Sequence, residues 1–263
     1  MVLIMKILVC IKQVPESENP ILIDDGKAWI QSDEIGEFKM NRLDEFAVEE
    51  AVLIKEAFGN TIIDALSAGP ERATEVIRRS IGMGADAGIH IDTGSERYHS
   101  AFEIAAWIAE YARGERYDLI VTGAMSEDNM QGQVGPMIAK RLSLPCATAV
   151  ILEKISSDRT TIYVEREIEG GQRDTLALPL PAVLTIQSGI NTPRYPSLSN
   201  LLRANKQGLK RIKGADLVQL AARDNLVELV YPHKTRSGTV LKGTEKEKAV
   251  QLIRILRERA LLP

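Results

Sequence analysis

The stretch Asp118-Leu119-Ile120-Val121-Thr122-Gly123-Ala124-Met125-Ser126-Glu127-Asp128-Asn129-Met130-Gln131-Gly132-Gln133-Val134-Gly135-Pro136 decides the fold. Residues 118–122 are a short apolar run rich in β-branched side chains, which reads as a strand. Polar and apolar residues do not alternate along it, so both its faces must be covered, as in a parallel sheet flanked by helices. Val134–Leu142 follows as a helix, and the loop between is crowded with small and amide residues.

The same unit recurs on the N-terminal side. Ile7–Ile11 is a strand whose exit is broken by Pro15. Residues 18–40 are polar and irregular, with Asp24-Asp25-Gly26 as a turn able to join a small hairpin. Asn41-Arg42-Leu43-Asp44 starts a helix, capped by Asn41 or Asp44 and ended by Gly59-Asn60. Thr61–Ser67 is a second strand with Ala68-Gly69-Pro70 as its exit turn, and Ala87–Ile91 is a third. Helices are predicted over Glu71–Ser80 and Ser100–Ala112. Strands alternating with helices through residue 142 predict a doubly wound, mostly parallel α/β sheet.

Beyond residue 150 the pattern changes. Ile162–Arg166 and Leu176–Leu178 flank Ile168-Glu169-Gly170-Gly171-Gln172, a β-hairpin signature. Pro181–Ile186 is another strand, and the Pro-bounded loop Asn191–Leu198 leads into a basic helix. From Ala222 the chain reads as an arm, irregular over Tyr231–Gly238. It ends in an amphipathic helix, Thr244–Leu261, with Val250, Ile253, Leu256 and Ala260 on one stripe. Thr244 and Glu247 are spaced as a capping box. The expected organisation is an α/β domain over residues 1–221 and an extended C-terminal arm over 222–263.

The 263 residues carry 33 Lys and Arg against 36 Asp and Glu, a net charge of −3, with 44% hydrophobic residues. A balance so close to neutral gives no global electrostatic reason to bind nucleic acid or anionic lipid. Two cysteines, Cys10 and Cys146, exclude a disulfide framework, and three scattered histidines leave little for a metal centre. No run approaches the about 20 apolar residues of a membrane span. The N-terminus reads as a buried strand and not a secretory leader, so the cytoplasm is the expected location; Met5 could equally be the start.

In open α/β sheets ligands bind beyond the carboxyl ends of the strands. Four segments therefore become candidate walls: Cys10–Pro15, Asn41–Asp44, Ala68–Pro70 and Gly123–Gly135. The last is either a phosphate cradle, where glycines admit close approach and a helix N-terminus aims N–H groups, or a plain polar loop. It is neither a Walker loop nor a GxGxxG fingerprint. Glu127 and Asp128 would repel a phosphate unless their side chains turn away or accept from a ribose or base. Cys10 and Cys146 read as small buried hydrophobes, His90 as a core residue, His99 as a surface residue at a helix start, and His233 as part of the tail. Glu49-Glu50 and Glu165, Glu167 and Glu169 read as solvated faces. No Ser/His/Asp grouping appears, which favours a binding or carrier role over hydrolysis or group transfer.

These residues resemble the β subunit of electron transfer flavoprotein, including its FixA-like branch, over nearly the whole chain. The likeness is carried by Cys10-Ile11-Lys12-Gln13-Val14-Pro15, Asn41–Ala51, Ala68–Glu75 and Met83-Gly84-Ala85-Asp86. Its most specific part is Val164-Glu165-Arg166-Glu167-Ile168-Glu169-Gly170-Gly171 with Leu176 and Pro181–Thr185, although Asp174 stands where Glu or Gln is usual. The resemblance implies a heterodimer whose α subunit holds most of an FAD and whose β subunit holds AMP, or a second FAD in the bifurcating branch. It implies nucleotide contacts at Cys10, Asn41, Arg42, Leu43, Asp44, Ala68, Gly69, Gly123, Ala124, Met125, Ser126, Glu127, Asp128, Asn129, Gln131, Gly132, Gln133 and Val134. Leu43 would also approach the partner's flavin. It maps a docking loop for acyl-CoA or other flavin dehydrogenases onto Asn191–Asn200, with Arg194, Tyr195 and Leu198 and an anchoring role for Leu198; otherwise Leu198 is a contact opening the next helix. The arm would wrap the α subunit, or else pack on its own core. Met130 stands in place of a carboxylate and Arg42 in place of a proline, which leaves AMP against FAD open; no mark of bifurcation beyond Gln133–Pro136 tilts it to AMP. An ATP-hydrolysing enzyme and a stress-type nucleotide-binding homodimer are the alternatives.

Overall fold

Apolar runs with no alternation form strands buried on both faces. The computed structural model describes residues 4–24, 26, 29–31, 36–94, 96–221, 223–232 and 238–262. The possible upstream extension at Met1, the centre of the Asp24–Gly26 turn, Ala222, and His233 with most of Tyr231–Gly238 lie outside the described residues. The first half runs β1 (Met5–Cys10), β2 (Gln13–Pro15), β3 (Phe38–Met40), α1 (Arg42–Phe58), β4 (Thr61–Gly69), α2 (Thr74–Met83), β5 (Ala87–Asp92), α3 (Ala101–Glu115) and β6 (Leu119–Gly123). The second runs α4 (Val134–Leu142), β7 (Cys146–Ile155), β8 (Thr161–Ile168), β9 (Gln172–Pro179), β10 (Ala182–Ile186), α5 (Leu198–Lys206), β11 (Lys210–Lys213) and α6 (Glu245–Glu258).

Nine strands form one sheet in the order β11-β5-β4-β1-β6-β10-β7-β8-β9. From β11 to β7 every pair is parallel, and β8 and β9 add an antiparallel edge. One face, with Ile7, Val9, Ile63 and Ala65, packs under α1 and α2. The other, with Leu8, Leu66, Ile120 and Val183, packs under α3 and α4. Burying such a side chain completely contributes about 1.5–3 kcal/mol, so the central strands hold the layers together. The chain leaves β1 for β4 and β5 on one flank and returns to β6 on the other. The switch point, and hence the ligand crevice of this fold class, lies beyond Cys10 and Gly123.

Several expectations are corrected. Pro15 does not end regular structure: it closes the β2–β3 ribbon, pairing with Phe38. An antiparallel bridge, Ile23 to Ile30, follows in the segment read as irregular. The helix predicted from Glu71 begins with a 3₁₀ turn over Glu71–Ala73. β11 escaped the sequence reading because Lys210-Arg211-Ile212-Lys213 is a charged edge strand, the kind that resists pairing with other chains. His99 is not a surface residue: its ring packs against Trp107 and its Nδ1 lies 2.8 Å from Glu103 Oε2.

The chain divides into two compact units, Met1–Leu229 and Val230–Pro263. In the second, α6 begins with the expected capping box between Thr244 and Glu247. Val250 and Ile253 on its apolar stripe are exposed. Among the described residues no helix is long and apolar enough to cross a membrane.

Candidate functional site

Two side chains at the start of α1 assemble the crevice. Asn41 occupies the N-cap position, but its side chain makes no cap hydrogen bond. Instead Asn41 Nδ2 donates to the Met125 carbonyl at 3.0 Å and Oδ1 accepts from the Glu127 N–H at 2.9 Å. Asp44 is likewise diverted from capping: one oxygen accepts from Lys12 N–H at 2.7 Å and the other from Gly123 N–H at 2.9 Å. These bonds tie the exits of β1 and β6 together across the switch point. Burial pushes the Asp44 carboxyl up to about 7, while the Lys12 and Gly123 N–H groups pull the other way.

The acids of the loop are each paired with a lysine. Asp128 pairs with Lys12 Nζ at 2.8 Å, and Lys12 also reaches Ser126 Oγ at 3.4 Å. Burial opposes Asp128 ionisation, yet the Lys12 charge and hydrogen bond prevail and hold its carboxyl below the usual range. Glu127 lies 3.6 Å from Lys39 Nζ and accepts from Arg42 N–H at 3.4 Å. The repulsion expected between these carboxylates and a phosphate is thus met inside the protein. Lys12 carried no sequence signal for this part, because its partner is 116 residues away.

The backbone is placed for close approach. A Cβ on Gly123 would lie 2.4 Å from Asp44 Oδ1 and 2.9 Å from the Leu43 carbonyl carbon. A Cβ on Gly135 would lie 2.6 Å from Thr185 Cγ2, so α4 seats directly on β6 and β10. Gly132 holds a left-handed φ of +61°, with the Ala124 carbonyl beside it. Ser126 Oγ donates to Asn129 Oδ1 at 2.8 Å. No side chain caps the N-terminus of α4 at Gln133, where Val134 and Gly135 open the helix. Backbone N–H groups and amide side chains can donate to a nucleotide's phosphate, and the lysine-paired carboxylates can accept from its sugar hydroxyls.

The crevice draws together Cys10, Asn41, Leu43, Asp44 and the loop from Gly123 to Val134. Arg42 stands at its rim, its guanidinium paired with Glu45. Ala68 and Gly69 end β4, paired with Ile91 and Asp92 of β5, and their turn is fixed by His90 Nε2, 3.0 Å from the Gly69 carbonyl. Gln13 and Arg72 exchange hydrogen bonds of 3.1 and 3.0 Å, fastening the β2–β3 ribbon to this turn. Two residues absent from the sequence reading join the rim: Tyr98, which reaches the Gln131 side chain, and Trp29, 6.1 Å from the Tyr98 ring. Cys10 is buried, and burial raises its thiol, ahead of the Asp44 charge, out of the range of a nucleophile.

The Asn191–Leu198 segment is anchored from beneath, and here the reading of Glu49 and Glu50 as a solvated face is corrected. They are only 4% and 7% exposed. Glu49 accepts from Arg194 Nε at 2.9 Å, Glu56 from Arg194 Nη1 at 2.6 Å, and Glu50 from Asn191 Nδ2 at 2.7 Å. Arg194 therefore braces the loop against α1, while Tyr195 and Leu198 stand 82% and 73% exposed. The helical periodicity of α1 placed its carboxylates on the surface; the loop that covers them comes from more than 140 residues away.

Fold and rim together define a class: a doubly wound α/β protein whose switch-point crevice is lined by backbone amides, amide side chains and self-neutralised acids. The family model "Electron transfer flavoprotein domain" matches residues 30–219. The electron transfer flavoprotein subunit beta of Bacillus subtilis is 32% identical over 261 residues, covering 97% of this chain and 99% of its own length. The Bos taurus subunit is 35% identical over 244 residues, covering 92% and 94%. The mitochondrial subunit of Arabidopsis thaliana is 34% identical over 244 residues, covering 92% and 95%. The chain belongs to the electron transfer flavoprotein β-subunit family.

Proposed function

We propose that this chain pairs with an electron transfer flavoprotein α subunit. In that heterodimer it holds AMP, or a second FAD, in the switch-point crevice. The heterodimer carries electrons from acyl-CoA or other flavin dehydrogenases to a downstream acceptor. The observation that carries the reading is the Asn41–Asp44 clamp, which fixes the Gly123–Val134 loop at the rim where this fold class binds ligands. The loop backbone and the start of α4 would hold the phosphate, with Ser126, Asn129 and Gln131 at hand for ribose or base. AMP would be a structural ligand, whereas a second FAD would supply one more redox centre. The chain's own residues hold, orient and exclude water; none is asked to make or break a bond. Leu43 would lie towards the partner's flavin, and the arm from residue 222 would wrap the α subunit. Tyr195 and Leu198 would dock the dehydrogenase, an exposed leucine being able to anchor a weak-rimmed interface.

ATP hydrolysis drew its support from Glu127 and Asp128, and both are engaged with lysines. The test is to purify the chain with its α partner and identify by mass the nucleotide released on denaturation. A yellow complex releasing AMP, or FAD beyond one equivalent, is expected. Release of neither from the β site would overturn the cofactor assignment.

A further inference from the structure

Glu50 and Glu153 form a carboxyl pair that the proposed function leaves unused. Glu50 sits on α1 and Glu153 on β7. Asn191 Nδ2 donates to Glu50 Oε2 at 2.7 Å and to the Phe46 carbonyl at 3.0 Å, which spends both its protons. Glu153 Oε2 is shielded from water and faces no donor of the protein. The two carboxyl groups lie within hydrogen-bonding reach of each other. Two ionised carboxylates so placed repel; one acid donating to one carboxylate satisfies both. Burial first, and then the charge of Glu50, pushes Glu153 up to about 8, and burial raises Glu50 as well. Among the charged groups nearby, Glu49 on α1 is neutralised by Arg194 of the loop. Across the ladder β8 presents the apolar Val164 opposite Glu153.

We infer that Glu50 and Glu153 share one proton, and that this proton positions the Asn191–Leu198 loop through Asn191. They are positioning residues: losing the proton sets two like charges beneath the loop and loosens it. The effect on docking rests on the function proposed above; the proton and the loop order do not.

The experiment uses the full α–β complex and measures amide hydrogen exchange of residues 187–198 between pH 6.5 and 9.5, corrected for intrinsic rates. Loop protection in the wild type should fall by up to about tenfold per pH unit above the titration, the limit for one linked proton. Glu153→Gln supplies a donor at every pH and should give a flat profile. Glu50→Gln, which keeps an acceptor for Asn191 and donates to Glu153, serves as the second variant and should also be flat. An infrared carboxylic-acid band titrating over the same range in the wild type, and missing from Glu153→Gln, would support the shared proton. A flat wild-type profile, or a foldable variant that follows the wild type, overturns the inference. Dehydrogenase capture, followed in parallel, should decline with loop protection. If protection titrates and capture does not, the proton assignment stands and the docking role of the loop fails.

Discussion

Replacing Asn41 by alanine should disconnect the Gly123–Val134 loop from α1. Asn41 is 1% exposed, and its truncation strips the partner from two half-buried groups, the Met125 carbonyl and the Glu127 N–H. Each buried polar group stranded in this way costs about 1–3 kcal/mol, or about 2–6 kcal/mol together if the loop held its position. The loop can relieve most of that by moving out to solvent, so global stability should drop by only about 1–2 kcal/mol. Order lost from the loop must then be restored on binding, which weakens the nucleotide by about 10- to 100-fold, equivalent to about 1.4–2.7 kcal/mol. Asn41→Asp keeps the acceptor for Glu127 but sets a carboxylate against the Met125 carbonyl, and should be no better than alanine. Calorimetric titration of AMP or FAD into nucleotide-stripped complex, with urea unfolding alongside, reads both quantities. Affinity within twofold of wild type, with unchanged urea midpoint, would refute the clamp as the element that organises the site.

Gly123→Ala forces its Cβ onto Asp44 Oδ1 and the Leu43 backbone, so α1 must shift from β6. A loss of about 1–3 kcal/mol is expected in urea unfolding, and an unaltered midpoint would count against that packing. Asp44, raised to about 7 from an unfolded value near 3.8, contributes stability that is fully present below about pH 4 and lost as pH rises through 7. The slope is at most about 1.4 kcal/mol per pH unit. Asp44→Asn should flatten this part of the Tm profile between pH 4 and 8, and parallel profiles would refute the assignment. Cys10 should stay unmodified by iodoacetamide at pH 8 in the native complex and react only after unfolding; rapid native alkylation, located by mass spectrometry, would contradict its burial. Leu198→Ala should weaken dehydrogenase capture by at least tenfold while leaving nucleotide content unchanged, an effect on both indicating misfolding instead of lost docking.

The sequence by itself determined the layers. Apolar runs without alternation, glycine exits and helical periodicity are local, and each was enough to place a buried strand or a covering helix. Val134–Leu142 was read with its observed ends, and the Glu169–Gly171 hairpin turn and the Thr244 capping box were equally legible. The four candidate wall segments followed from the general rule that ligands of such sheets bind beyond the carboxyl ends of the strands. Only the tertiary structure decided what the polar side chains on those segments do. Asn41 and Asp44 carry a capping signature and are spent instead on partners 32 to 86 residues away. Glu49 and Glu50 carry the signature of a solvated face and lie under a loop more than 140 residues distant. Hydrophobic burial is set by composition over a few turns of chain, whereas a hydrogen bond needs two groups within about 3 Å, and only the closed fold sets that distance.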